Sequence, residues 1–311
     1  MYSLRQIRKG ISMGLDSPSY FGRELNRLYY RRLGGRSCNT SGARIMDEDW
    51  DTLVILDACR YDTFASRHRL PGRLEERESR GSHTVEFLEG NFANGRFEDT
   101  VYVTATPQLY RKRDRLHAGF HSVRHVWREE NWNDEYGTVL PETMTEHALN
   151  VHEAYPNKRI IVHYLQPHDP FIDSAPELNP RRFGVDEGGP DIWGHLMRDD
   201  IDVEPDRVRR AYEHNLDLVL DALEPLLSTV QGKIIVTSDH GNMFGERARP
   251  VPVREWGHPP GIYTEQLVRV PWLVYESGPR RTIEDDDAES TGADVGSEAV
   301  DDRLRDLGYV S

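Results

Sequence analysis

The chain has 311 residues, 37% hydrophobic content and a formal net charge of −14. That size suits one large α/β domain with decorations better than two equal domains, and the negative balance argues against general nucleic-acid binding. Cys38 and Cys59 are too few and too ill-spaced for a disulfide framework or a zinc knuckle, which reads as a reducing interior.

Residues 1–47 form a basic N-terminal helical segment. Its nine Arg and Lys residues face only Asp16, Glu24 and Asp47. Leu4, Ile7, Ile11 and Leu15 recur at helical spacing, and Phe21, Leu25, Leu28 and Tyr29 form a second such pattern. Two readings stand: a helix packed on the acidic body, or a peripheral contact of residues 1–36 with anionic lipid. The second would place the protein at the inner face of the membrane, with a lipid-linked phosphate as substrate. There is no apolar run of about twenty residues and no apolar signal core at the amino terminus, so the expected location is the cytoplasm.

A catalytic domain is expected over 48–278. Asp51-Thr-Leu-Val-Ile-Leu-Asp57 reads as a buried strand closing on Asp57, a charge expensive to bury alone. Glu78 to Gly90 reads as a Gly/Ser loop entering a helix capped by Ser82 or Thr84, with His83 a loop residue. Either hydroxyl also suits an alkoxide nucleophile, because a helix amino end favours an anion and a metal lowers a hydroxyl pKa. A helix is expected from Glu142 to Tyr155. The strand from Arg159 then delivers His163, His168 and Asp169, the last read as a solvated loop acid.

Ser174 to Glu204 reads as a long loop and Pro205 to Leu223 as an amphipathic helix. Lys233-Ile-Ile-Val-Thr-Ser is a third buried strand, ending in Asp239 and His240; Phe244 to Gly261 is a further loop carrying His258. Residues 279–299 read as an acidic linker and 300–311 as a C-terminal docking helix. Three apolar runs ending in Asp, His and Asp-His are what a metal-centred site at the carboxyl edge of a sheet needs. Carboxylate and imidazole donors suit a divalent cation.

Asp57 after a strand, a Ser/Thr at a helix start, Pro167-His-Asp-Pro170, Ser238-Asp-His-Gly241 and Arg269-Val-Pro-Trp272 together resemble the sulfatase-like branch of the alkaline phosphatase superfamily. Arg303-Leu-Arg-Asp-Leu-Gly-Tyr309 is similar to the tail of many such chains. The resemblance implies a doubly wound α/β fold, with a mostly parallel central sheet and helices on both faces. It implies Asp57, Thr84, Asp239 and His240 as ligands of one or two divalent ions (Mn, Mg, Zn or Ca). Thr84 would be the nucleophile, with Ser82 as fallback. His168 and His258 would face the transferred group, with weaker roles for His163 and Arg60, although Arg60 also suits a structural ion pair with Asp62.

Departures narrow the chemistry. The Cys-x-Pro-x-Arg motif of formylglycine sulfatases is absent, and Ala58 stands where many relatives carry a second aspartate, which weakens a calcium-type site. The expected activity is hydrolysis or transfer of phosphate mono- or diesters, on a small molecule or a lipid- or glycan-linked group. The alternatives are a sulfuric ester hydrolase without formylglycine and a non-catalytic metal-binding protein. Of the 39 basic residues only Lys9, Lys112, Lys158 and Lys233 are lysine. That acid-rich, lysine-poor balance is similar to the surfaces of proteins from extreme halophiles.

Overall fold

A computed structural model describes residues 18–32, 35–128, 131–180 and 191–285. Its centre is a seven-stranded sheet with strand order β2-β9-β6-β1-β5-β3-β4. In chain order these are β1 (Thr52–Asp57), β2 (Arg73–Glu78), β3 (Arg96–Thr104), β4 (Gly119–His125), β5 (Arg159–Pro167), β6 (Gly232–Ser238) and β9 (Arg269–Ser277). β6, β1, β5, β3 and β4 pair in parallel, and β9 runs antiparallel to both β6 and β2. The mostly parallel α/β architecture expected from the sequence is therefore what the chain adopts.

The central strands are apolar on both faces, and their alternation feeds two cores. Val54, Leu56, Val101, Val103, Ile160, Val162, Ile234 and Val236 face one core. Leu53, Ile55, Tyr102, Ile161 and Ile235 face the other. The first core is closed by α4 (Pro141–Ala154) and α6 (Pro205–Thr229), through Met144, Ala148, Leu216, Val219 and Leu223. The second is closed by α3 (Thr84–Phe92), through Phe87, Leu88 and Phe92.

Register then sets the site. Ile55 pairs with Thr237 and Leu56 with Ser238, so Asp57 and Asp239 emerge side by side at the carboxyl edge. β1 leads through a turn into α2 (Tyr61–Arg67). Ala58 begins that turn in the left-handed region at φ 61, where a non-glycine residue is uncommon. Three hydrogen bonds hold it: Ala58 N donates to Asp239 Oδ1 (3.1 Å), Tyr212 Oη donates to the Ala58 carbonyl (2.8 Å), and Cys59 N donates to Ser238 Oγ (2.9 Å).

Several expectations need correction. α6 runs on to Thr229, past Pro225. Within the expected loop of 174–204 lies α5 (Ile192–Arg198), which buries Ile192 and Trp193 beside Phe171. The expected loop of 244–261 holds a hairpin of β7 (Met243–Arg247) and β8 (Arg254–Gly257), whose residues can pair backbone groups a loop would leave to water. The second N-terminal pattern is α1 (Pro18–Tyr30). Asn26 fixes it to the body through reciprocal bonds with the backbone of Val251, and Arg31, just past its end, ion-pairs with buried Glu86. The Leu4–Leu15 pattern, residues 286–299 of the acidic linker and the docking helix lie outside the described residues.

Candidate active site

β1, β5, β6 and the amino end of α3 converge on one cluster. Asp57, Asp239, His240 and His163 are wholly buried, and Thr84 and His168 nearly so. Donor atoms of Asp57, Asp239 and His240 all lie within 4.8 Å of one another. His240 Nε2 is 3.4 Å from Asp57 Oδ1 and 3.3 Å from Asp239 Oδ2. Thr84 Oγ1 lies 3.3 Å from both His240 Nε2 and Asp57 Oδ2. Bonds of roughly 2.0–2.1 Å to a tetrahedral cation would set donors about 3.3–3.4 Å apart, so these separations fit a bound divalent cation.

Two further observations fit a cation. Asp239 Oδ2 and His163 Nε2 are buried polar atoms without a hydrogen-bond partner, and both face the cluster 3.9 Å apart. His240 Nδ1 bonds the Gly241 carbonyl at 2.8 Å, which directs Nε2 inward, as a ligand imidazole requires.

Electrostatics separate the two carboxyls. Burial alone would raise Asp57, but the His240 hydrogen bond and the His168, His240 and His163 charges hold it below the ordinary range. Asp239 is raised, by burial first and by the Asp57 charge second. Burial opposes charge on His240, yet Asp239 and Asp57 push it up to about 9. Burial keeps His163 low despite both carboxylates.

Thr84 is the first residue of α3, but the helix cap is His83, whose Nδ1 accepts from Glu86 N at 3.2 Å. This corrects the expected Ser82 or Thr84 cap and leaves the Thr84 hydroxyl to the cluster. Ser82 Oγ turns the other way: its one proton lies between two acceptors, Glu86 Oε2 (2.9 Å) and Pro259 O (3.1 Å), and it accepts from Gly261 N (2.9 Å). Arg60 also turns away, bidentate on Asp62 (2.8 and 2.6 Å) and ion-paired with Glu246, so its guanidinium does not face the cluster. Asp169 is buried rather than solvated and accepts from Trp193 Nε1 at 2.7 Å.

His168 and His258 stand beside the cluster, their ring centroids 4.8 Å apart, and His258 is 4.9 Å from His240. Burial and the neighbouring imidazoles hold His258 well below its ordinary pKa, so it is neutral at pH 7. Two supporting residues carry no sequence signal of their own. Tyr102 Oη sits 2.8 Å from His163 Nδ1, and Asn242 Oδ1 sits 3.4 Å from His258 Nδ1. Asn242 at least follows directly on the Asp-His-Gly run; Tyr102 reads as an ordinary strand aromatic.

The sulfatase family model matches residues 90–301, more than half of the sequence. The chain belongs to the sulfatase family. The matched span holds His163, His168, Asp239, His240 and His258, while Asp57 and Thr84 precede it and join the cluster through the fold. Membership supports hydrolase or transferase activity on phosphate or sulfate esters. No curated protein matches the chain.

Among solved structures, it is similar to the integral membrane lipooligosaccharide phosphoethanolamine transferase A of Neisseria meningitidis (TM-score 0.46, 13% identity, 73% of this chain and 47% of that one). It is also similar to the lipoteichoic acid synthase LtaP of Listeria monocytogenes (TM-score 0.42, 12% identity, 74% and 66%). A third is the phosphonate monoester hydrolase of Silicibacter pomeroyi (TM-score 0.38, 13% identity, 82% and 72%). The chain spans about half the length of the Neisseria protein.

Proposed function

We propose that this sulfatase-family chain is a metal-dependent hydrolase or transferase of phosphate esters that uses Thr84 as its nucleophile. One observation carries the reading: the Thr84 hydroxyl lies 3.3 Å from both a buried carboxylate and a buried imidazole, at a helix amino end that lines an open cleft. Asp57, Asp239, His240 and Thr84 would hold a divalent cation, which would neutralise the buried carboxylates and lower the threonine pKa. Thr84 Oγ1 attacks phosphorus, its proton passes to the departing alcohol, and water or a second alcohol then cleaves the Thr84 ester. His168, whose pKa the Asp169 and Asp57 carboxylates raise against burial, would hold the non-reacting oxygens; His258, neutral with its Nδ1–H toward Asn242 Oδ1, would present Nε2 as an acceptor. Phosphate is favoured over sulfate because Thr84 stands where a formylglycine would.

The test is turnover of p-nitrophenyl phosphate, its diester and its sulfate, with Mn, Mg, Zn or Ca, from low to multimolar KCl. Metal-dependent release from a phosphate ester supports the reading. Release from the sulfate alone replaces it with the formylglycine-independent sulfatase.

Metal binding carries a pH signature. An ion must displace the His240 proton, whose pKa is pushed up to about 9, so the apparent affinity should rise about tenfold per pH unit well below 9, about fiftyfold from pH 7 to pH 9. In the metal-free protein the same raised pKa stabilises the fold below the unfolded value of 6.5, and that stabilisation is lost as pH rises through about 9. Chelator competition across this range measures the slope; a flat profile contradicts His240 as ligand.

The N-terminal segment is proposed as a peripheral contact. Phe21, Leu25 and Tyr29 form one exposed stripe on α1, at 62%, 41% and 63% exposure, while the opposite side grips the body. Among the described residues no helix is long and apolar enough to cross a membrane. Flotation with anionic vesicles should carry the wild type and lose the triple alanine variant of that stripe. A cytoplasmic location is proposed from the two buried free thiols, Cys38 and Cys59; cell fractionation that finds the protein outside the cytoplasm overturns it.

A further inference from the structure

Beside Thr84 opens a cleft of about 400 Å³ with features that cleaving a simple phosphate ester does not require. Thr84, His83 and His258 form its catalytic end. Its walls carry four arginines, Arg23, Arg27, Arg111 and Arg198, against one acid, Asp191, in a chain whose net charge is −14. Asp191 is already engaged as the cap of α5, accepting from Gly194 N at 2.7 Å. Arg23 pairs with buried Glu255, and Arg27 holds the Pro260 carbonyl at 2.9 Å, so these two fix α1 as one wall. Arg198 is exposed at the end of α5.

An independent observation comes from Gln108. It lines the same cleft, is only 2% exposed, and its side-chain oxygen has no hydrogen-bond partner. A buried acceptor left in this state awaits a donor. Trp193 and Trp256 add flat apolar surface, with Trp193 locked by its bond to Asp169.

Building on the Thr84 reading, we infer that this cleft is a leaving-group subsite for an alcohol that carries its own anionic group and free hydroxyls, the chemistry of a phosphorylated sugar. Arg111 and Arg198 attract the second anion, Gln108 accepts from a hydroxyl, and the indoles cover the carbon face. When Thr84 Oγ1 bonds to phosphorus, the phosphorus–oxygen bond to the sugar breaks and the sugar phosphate departs with the threonine proton.

Two arms test this, both with divalent metal present and at low salt, where the charge is least screened. Calorimetry on Thr84→Ala protein compares glucose 6-phosphate with glucose, and the same measurement is repeated with Arg111→Ala and Arg198→Ala added. Kinetics compare kcat/KM for glucose 1,6-bisphosphate, read as glucose 6-phosphate, with that for glucose 1-phosphate, read as glucose. The subsite predicts at least about a tenfold preference for the anionic partner in each arm, collapsing toward one when the two arginines are removed. Equal binding, or a preference that survives loss of both arginines, overturns it, the latter because the anion then sits on the metal. Arginine-dependent binding without turnover of any ester keeps the subsite and removes the catalytic reading. Turnover without preference does the reverse.

Discussion

Thr84→Ala is expected to lower kcat on the best ester by at least about a thousandfold, with only a small change in the stability of the metal-free protein. The two effects separate because different residues carry them. The cap of α3 is the His83 imidazole, so removing the Thr84 hydroxyl leaves the helix start intact. The bonds it loses, at 3.3–3.5 Å to Asp57 and 3.3 Å to His240, are long and contribute about 1 kcal/mol or less. Kinetics with metal and thermal melts in chelator, on the same preparation, check this. A variant that keeps wild-type kcat contradicts Thr84 as nucleophile, and a large drop in Tm would mean that lost folding explains lost activity.

The second large effect concerns the metal and has an opposite sign in its two states. Chelation should abolish turnover and lower Tm, since an ion at a thousandfold excess over its Kd stabilises by about 4 kcal/mol. Asp239→Asn should remove that metal-dependent gain. In chelator, however, the variant should melt higher than wild type, because two wholly buried carboxylates then no longer face each other. Asn keeps an oxygen for the Ala58 and His240 amides that Asp239 Oδ1 now accepts. The pH dependence follows from the direction of the shift. A carboxyl held above its ordinary pKa stabilises the fold while protonated, and the wild type loses that contribution as pH rises through the folded value. Metal-free melts of the variant should lack this loss. A variant less stable than wild type in chelator would show that Asp239 is held by contacts rather than placed there for an ion.

Much of this site was legible in the sequence because β1, β5 and β6 are parallel strands buried on both faces. Such strands read as continuous β-branched runs, and each delivers its polar residue at the same edge. The other strands hide for physical reasons. β2, Arg-Leu-Glu-Glu-Arg-Glu, is a half-exposed edge strand whose charges are paired across to neighbours such as Arg269, so its composition resembles a surface loop. β7 and β8 are short and carry a register shift, which erases alternation.

Within the site, spacing could nominate Ser82 and Thr84 equally, because only His83 separates them and both precede an apolar run. The tertiary bonds of Ser82 to Glu86, Pro259 and Gly261 distinguish them, and no local pattern encodes those. His83 escaped as a cap because imidazole is not among the usual capping groups. Arg60 illustrates the reverse case: its partner, Asp62, was two residues away and readable, while Glu246 arrives from a hairpin that was read as loop.

The most direct test of the central claim is to map the covalent intermediate. Metal-loaded protein would be mixed with its best phosphate ester, quenched in acid within one turnover, digested, and analysed by mass spectrometry alongside Thr84→Ala. The expected result is a phosphorylated peptide with the modification on Thr84, absent from the variant. Phosphate on Ser82 or any other residue, or undiminished turnover by Thr84→Ala, would contradict it.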